Sequence, residues 1–178
     1  MPPEVRSNAY DDTPLYIGYG QTISAPSMVA IMCQLLDIRN GSKILEIGTG
    51  LGYHAAVMSV LAGSGTIFTV ELIPELADHA HSVLDKLGFH NVKVFLSDGS
   101  EGLPEFAPYD RISVAAAAPK IPDALTDQLN DPGLMAIPVG KYLQELMLVE
   151  KKDGRVTISD NGAVAFVPLL GKYGFQVY

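Results

Sequence analysis

The run KILEIG (Lys43–Gly48) is short, apolar and β-prone, and it ends in glycine. YHAAVMSVLAG (Tyr53–Gly63) then repeats apolar residues at helical spacing and stops at Gly63. A strand feeding a helix through a glycine-rich turn has to return to its sheet by a right-handed crossover. The unit recurs. TIFTVE (Thr66–Glu71) reads as a second strand, and PELADHAHSVLDKLG follows as a helix that begins at Pro74 and stops at Gly88. VKVFLSDG (Val92–Gly99) and DRISVAAAAP (Asp110–Pro119) are the third and fourth strands, and IPDALTDQL is a helix. GLMAIPVG, QELMLVEKKDGRVTI and AVAFVPLLG then read as strands with no helix between them, the middle pair turned at Asp153-Gly154. Ahead of the sheet, Pro26 to Ile38 reads as a helix with Ser24 as its N-cap and Val29, Met32, Cys33 and Leu36 on its apolar face. The expected architecture is α/β: a Rossmann-like, doubly wound, mainly parallel sheet with an antiparallel C-terminal hairpin. One domain is expected over residues 1–178.

Composition narrows the function classes. At 178 residues the chain can bury one sizeable core, and 48% hydrophobic with 18% charged residues suits a globular protein. The apolar runs are too short to span a bilayer, no signal peptide opens the chain, and Cys33 stands alone. These features lead to the expectation of a cytoplasmic monomer without membrane contact. A net charge of −8 with scattered Lys and Arg disfavours a nucleic-acid partner.

In an open α/β sheet, ligands sit beyond the carboxyl ends of the strands. LEIGTGLGY puts Gly48, Thr49, Gly50 and Gly52 there, directly after the first strand. Such turns also occur for packing alone. Tyr53 stands where a dinucleotide fingerprint needs its third glycine, so that ligand class is out. Glu46 adds a carboxylate that repels pyrophosphate but suits an ammonium group. Glu71 ends the second strand, 71 − 52 = 19 residues past Gly52, where it can accept from ribose hydroxyls. Asp98-Gly99 ends the third, where a carboxylate can accept from an adenine amino group. Singly, Glu71 and Asp98 read equally well as caps or turn residues. Together the acids fit a nucleoside with a cationic tail, as in S-adenosylmethionine.

What the chain lacks narrows the methyl acceptor. VAAAAP stands where nucleic-acid amino methylases carry an Asn/Asp-Pro-Pro turn, and Cys33 lies mid-helix as a core residue rather than a nucleophile. His54, His79, His81 and His90 form no ligand pair, so no metal is expected, and all four read as surface or boundary residues. No general base is visible. An acceptor that needs none is already an anion, and a carboxylate is the obvious one. TISAP sets the Ser24 hydroxyl and free amides at a helix start, which serves equally as an ordinary cap or as an anion site.

YDDTPLYIGYGQTISAP (Tyr10–Pro26), ILEIGTGLGYHAAV, VELIPELA, SDGSEGLPEFAPYDRI, AAAPKIPDAL, IPVG and FVPLLG resemble, in order and over nearly the whole chain, the protein-L-isoaspartate O-methyltransferase family. The resemblance implies a class I S-adenosylmethionine-dependent fold. It implies methyl transfer to the α-carboxylate of L-isoaspartyl residues in damaged proteins and peptides, with S-adenosylhomocysteine as product. By it, Ser24 is the catalytic serine. Thr22, Ile23, Glu46, Gly48, Thr49, Gly50, Gly52, Glu71, Leu72, Asp98 and Gly99 fall on cofactor positions, and residues 1–25 cover cofactor and substrate. The chain departs from the family at Ser27, where histidine is frequent, and at Ala115, where threonine is. Two other readings stay open: a methyltransferase for a small carboxylate, and a binding module that keeps the cofactor loop without turnover.

Overall fold

Residue alternation along β3 (Lys43–Ile47) decides which layer each side chain enters. Leu45 and Ile47 point to one face, Ile44 and Glu46 to the other, and all four are buried, as in a strand covered on both sides. The computed structural model describes residues 3–176. β3 lies between parallel neighbours β4 (Thr66–Glu71) and β6 (Tyr109–Val114), within a seven-stranded sheet. β5 (Val92–Leu96) flanks β4, and β7 (Leu129–Val139), β8 (Gln144–Lys152) and β9 (Arg155–Val164) extend the other side. β5-β4-β3-β6-β7 are parallel, and β8 and β9 are antiparallel, as the sequence pattern predicts. Chain order runs outward in opposite directions from β3 and β6, which opens a crevice between their carboxyl ends.

The two faces have different cores. Leu45, Ile47, Phe68, Val70, Ile112, Val114, Met135 and Ile137 form the larger cluster. Opposite them, α1 (Pro26–Leu35) and α2 (Tyr53–Ala62) bury Val29, Cys33, Ala55 and Met58 against Ile44 and Ile67. Burying each such large side chain contributes about 1.5–3 kcal/mol. α3 (Pro74–Lys86) stops before Gly88 as expected, and α4 (Asp123–Asp127) is a single short turn.

Ahead of the sheet, β1 (Leu15–Gly18) and β2 (Gln21–Ile23) pair as a small hairpin, turned by Gly18, Tyr19 and Gly20 at positive φ. Three expectations from the sequence do not hold. α1 ends at Leu35 rather than Ile38, because Asp37 turns to φ +43 and its carboxylate takes the Arg39 guanidinium. Ser24 is not the N-cap of α1. Ala25, held extended before Pro26, is, and the Ser27 amide of the first turn donates instead to Asp12 Oδ1 at 3.0 Å. AVAFVPLLG is a strand only through Val164. Pro168 has no N–H for a ladder, so Val167 O and Leu169 N pair singly with Ala117.

Candidate active site

The crevice beyond β3 and β6 opens into a cavity with three walls. β2 and the residues after it supply Gln21, Thr22, Ile23 and Ser24. The glycine loop and the end of β4 supply Gly48, Thr49, Gly50, Tyr53, Glu71 and Leu72. The third wall joins Ala115 and Ala116 to the C-terminal segment Val167, Pro168, Leu169 and Leu170. Gly48 follows β3 at φ +94, a conformation that a side chain would strain.

Glu71 is held before any ligand arrives. Its Oε2 accepts from the Gly50 amide at 2.9 Å, and Oε1 accepts from Leu72 and Ile73 at 2.9 and 3.1 Å. Three donors occupy a carboxylate with about four acceptor positions, leaving about one for a ligand hydroxyl. The strand alternation that buries Ile44 sends Glu46 under the loop, so it does not reach the cavity wall. It is 0% exposed. Register sets it between Thr69 and Ser113, making a polar row within the core beneath α1 and α2. Thr69 Oγ1 donates to Glu46 Oε2, which leaves Thr49 Oγ1 to donate to Thr69 at 2.7 Å, so the row reaches a loop residue on the wall.

His54 is the clearest correction on this face. Rather than surface or boundary, it is buried on the wall, with Nδ1 3.6 Å from Glu46 Oε1 and Nε2 3.5 Å from Cys33 Sγ. Burial pushes Glu46 up to about 8, with the Thr69 bond opposing and the Glu71 charge adding, and pushes His54 down to about 4. At neutral pH Glu46 therefore carries a proton and His54 is uncharged. Both imidazole nitrogens face the interior, so His54 is no base for a ligand in the cavity. Burial, then the Glu46 charge, raises the Cys33 thiol to about 12, which fits a core residue rather than a nucleophile. His79, His81 and His90 are exposed, as expected.

Asp98 also does something other than line the cavity. Oδ1 accepts from the Ser100 amide and hydroxyl, and Oδ2 accepts from the Lys172 amide at 2.7 Å. Burial alone would raise its pKa, but these bonds outweigh it and lower it. Asp98 thereby latches the strap that carries Val167–Leu170 back across the sheet edge, helped by Lys172 Nζ on Glu101 at 2.8 Å. Gly52 lies off the wall as well; at φ +83 it caps α2, and an added Cβ would press on Leu84 at 3.0 Å. Of the expected site residues, Thr22, Ile23, Ser24, Gly48, Thr49, Gly50, Glu71, Leu72 and Gly99 meet in one cavity, while Glu46, Gly52 and Asp98 support it from behind. The residues suit a nucleoside with a cationic end: glycines that admit close approach, an anchored carboxylate, and apolar surfaces from Ile17, Leu72 and Leu76. Ile17 and Gln21 were expected only as part of the covering stretch 1–25, and the strap was not foreseen as wall, because only the tertiary path of the chain brings it there.

The family model for protein-L-isoaspartate(D-aspartate) O-methyltransferase matches residues 1–174. A Methanocella arvoryzae protein named protein-L-isoaspartate O-methyltransferase is 73% identical over 179 residues, covering 100% of this chain and 95% of its own length. A solved structure named protein-L-isoaspartate O-methyltransferase has a TM-score of 0.87 at 32% identity, over 94% of this chain; the chain spans 56% of its length. A Plasmodium falciparum structure described as a protein-L-isoaspartate O-methyltransferase, in complex with S-adenosyl-L-homocysteine, has a TM-score of 0.82 at 28% identity, over 90% of this chain and 81% of its own.

Proposed function

This chain belongs to the protein-L-isoaspartate(D-aspartate) O-methyltransferase family, and from that premise we infer how its own residues serve the reaction. It is an S-adenosylmethionine-dependent enzyme that methylates L-isoaspartyl residues of proteins at the α-carboxylate, the first step in returning them to aspartate. The full-length family match favours this over a small-carboxylate enzyme or a binding module without turnover.

S-adenosylmethionine supplies an electrophilic methyl group on a sulfonium sulfur, and the acceptor oxygen bonds to that carbon as the carbon–sulfur bond breaks. No proton moves, so the protein needs no base. Its task is placement, which lowers such barriers by several kcal/mol. Glu71, with its rotamer fixed by three backbone amides, accepts from a ribose hydroxyl. Gly48 and Gly50 would let the loop approach the nucleoside, Leu72 and Gly99 would border its base, and Thr22 and Ile23 would close over it, all of them residues of the cavity wall. The Glu46–Thr69–Thr49 chain holds the loop from below. Ser24, half-buried on the wall and released from capping by Asp12, donates to the acceptor carboxylate and turns it toward the methyl group. Of the described residues before Ala25, Ile17 and Gln21 to Ser24 cover the cavity as part of a single domain.

The observation that carries this reading is that Ser24, the glycine loop and Glu71 share one cavity. Mass spectrometry of an isoaspartyl peptide incubated with the protein and S-adenosylmethionine tests it. The expected products are a methyl ester at the isoaspartyl α-carboxylate and then its succinimide. An ester at a side-chain or C-terminal carboxylate instead would overturn it.

A further inference from the structure

We propose that the turn Lys141–Leu143 docks the polypeptide flanking the isoaspartyl residue, with Tyr142 and Leu143 receiving apolar side chains next to the damaged site. The proposal rests on the isoaspartyl methyl-transfer reading. Tyr142 is 88% and Leu143 90% exposed, above every other exposed large hydrophobic among the described residues. Tight turns between antiparallel strands ordinarily carry glycine and polar residues. Adjacent aromatic and aliphatic side chains left in water mark a surface that something covers.

The position of the turn says what. β7 runs parallel to β6, so its end emerges at the same edge of the sheet as the cavity. The Gly140 amide donates to Ala118 O at 2.9 Å and Val139 bridges Ala118, while Ala115 and Ala116 of that same loop line the cavity. The turn is therefore continuous with the wall on the side away from Glu71. It is also built rather than slack. Gly140 sits at φ +131, and a Cβ there would run into the Leu143 carbonyl oxygen, so only glycine permits the tight return. Lys141 Nζ packs 5.3 Å from the centre of the Tyr142 ring.

An isoaspartyl residue reaches the cavity as part of a chain. Its α-carboxylate enters, but the residues on either side cannot follow and have to lie on the rim. A turn presenting tyrosine and leucine gives those neighbours an apolar seat. Burying one leucine-sized side chain there is worth about tenfold or more in binding.

The test compares two isoaspartyl hexapeptides, one with leucine on both sides of the isoaspartyl residue and one with serine, on the wild type and on the double variant Tyr142→Ser, Leu143→Ser. The wild type is expected to favour the leucine-flanked peptide by about tenfold in kcat/KM, through KM, and the double variant to lose most of that preference. An equal preference in both proteins would overturn the proposal while leaving methyl transfer intact. No turnover of either peptide by the wild type would overturn the reading it rests on, and the proposal with it. Sedimentation of both proteins covers the rival occupant: a concentration-dependent dimer of the wild type that the double variant loses would assign the turn to a second copy, and would also overturn it.

Discussion

Asp12 and Ser24 divide work that one residue was expected to do. Because the Asp12 carboxylate takes the Ser27 amide, Ser24 can lose its hydroxyl without exposing the start of α1. Ser24→Ala is therefore expected to lower kcat/KM for an isoaspartyl peptide by about ten- to a thousand-fold while melting within a degree or so of wild type. Asp12→Ala, which removes the acceptor of the Ser27 amide, should do the reverse, lowering the melting temperature with little loss of activity per folded molecule. A destabilised but fully active Ser24→Ala protein would make the serine a cap after all. Glu46 and His54 give a second expectation at this scale. Glu46 has its pKa raised on folding, so its stabilisation is complete below the ordinary carboxylate range and is lost as pH rises toward about 8. His54 has its pKa lowered on folding, so its contribution rises with pH from about 4 to about 6.5 and then levels. Above about 6.5 only the Glu46 slope remains, and stability should fall by at most about 1.4 kcal/mol per pH unit up to about pH 8. Denaturant titrations across that range should show the fall in the wild type and its absence in Glu46→Gln. A flat wild-type profile would mean that Glu46 is ionised in the fold.

At the scale of elements, the strap that follows β9 shows what a latch contributes. Asp98 holds it through the Lys172 amide while fixing the turn at Ser100. Asp98→Ala should raise the dissociation constant for S-adenosylmethionine by about three- to tenfold, because one wall of the cavity loosens rather than because a ligand contact is removed. Calorimetric titration of the variant checks this, and an unchanged constant would reduce Asp98 to a local turn residue. The strand–helix alternation from Lys43 to Pro119 was legible in the sequence because period and punctuation agree there: Gly63 and Gly88 stop helices, Pro74 starts one, and apolar runs are short between them. The β1–β2 hairpin was not, since its strands are brief and its turn rests on Tyr19 at φ 56 between two glycines. That Glu71 and Ser24 line the cavity was legible from a strand end and a helix start. The orientations of Asp98 and His54 were not: which way each turns depends on Lys172, 74 residues on, and on Cys33 from another helix. No local pattern records such partners.

For the molecule as a whole, a parallel sheet places its ligand crevice where chain order reverses, and everything else is arranged around that edge. The hairpin closes it from the N-terminal side, the strap from the C-terminal side, and the turn after β7 extends the rim. This enclosure places an isoaspartyl carboxylate, one backbone atom displaced from its aspartyl isomer, in line with a methyl donor. Steady-state methyl transfer to an isoaspartyl peptide and to its aspartyl twin of identical sequence, measured with the same preparation, tests this most directly. Turnover of the isoaspartyl peptide and none of the twin is the expected result. Comparable turnover of both peptides would contradict it.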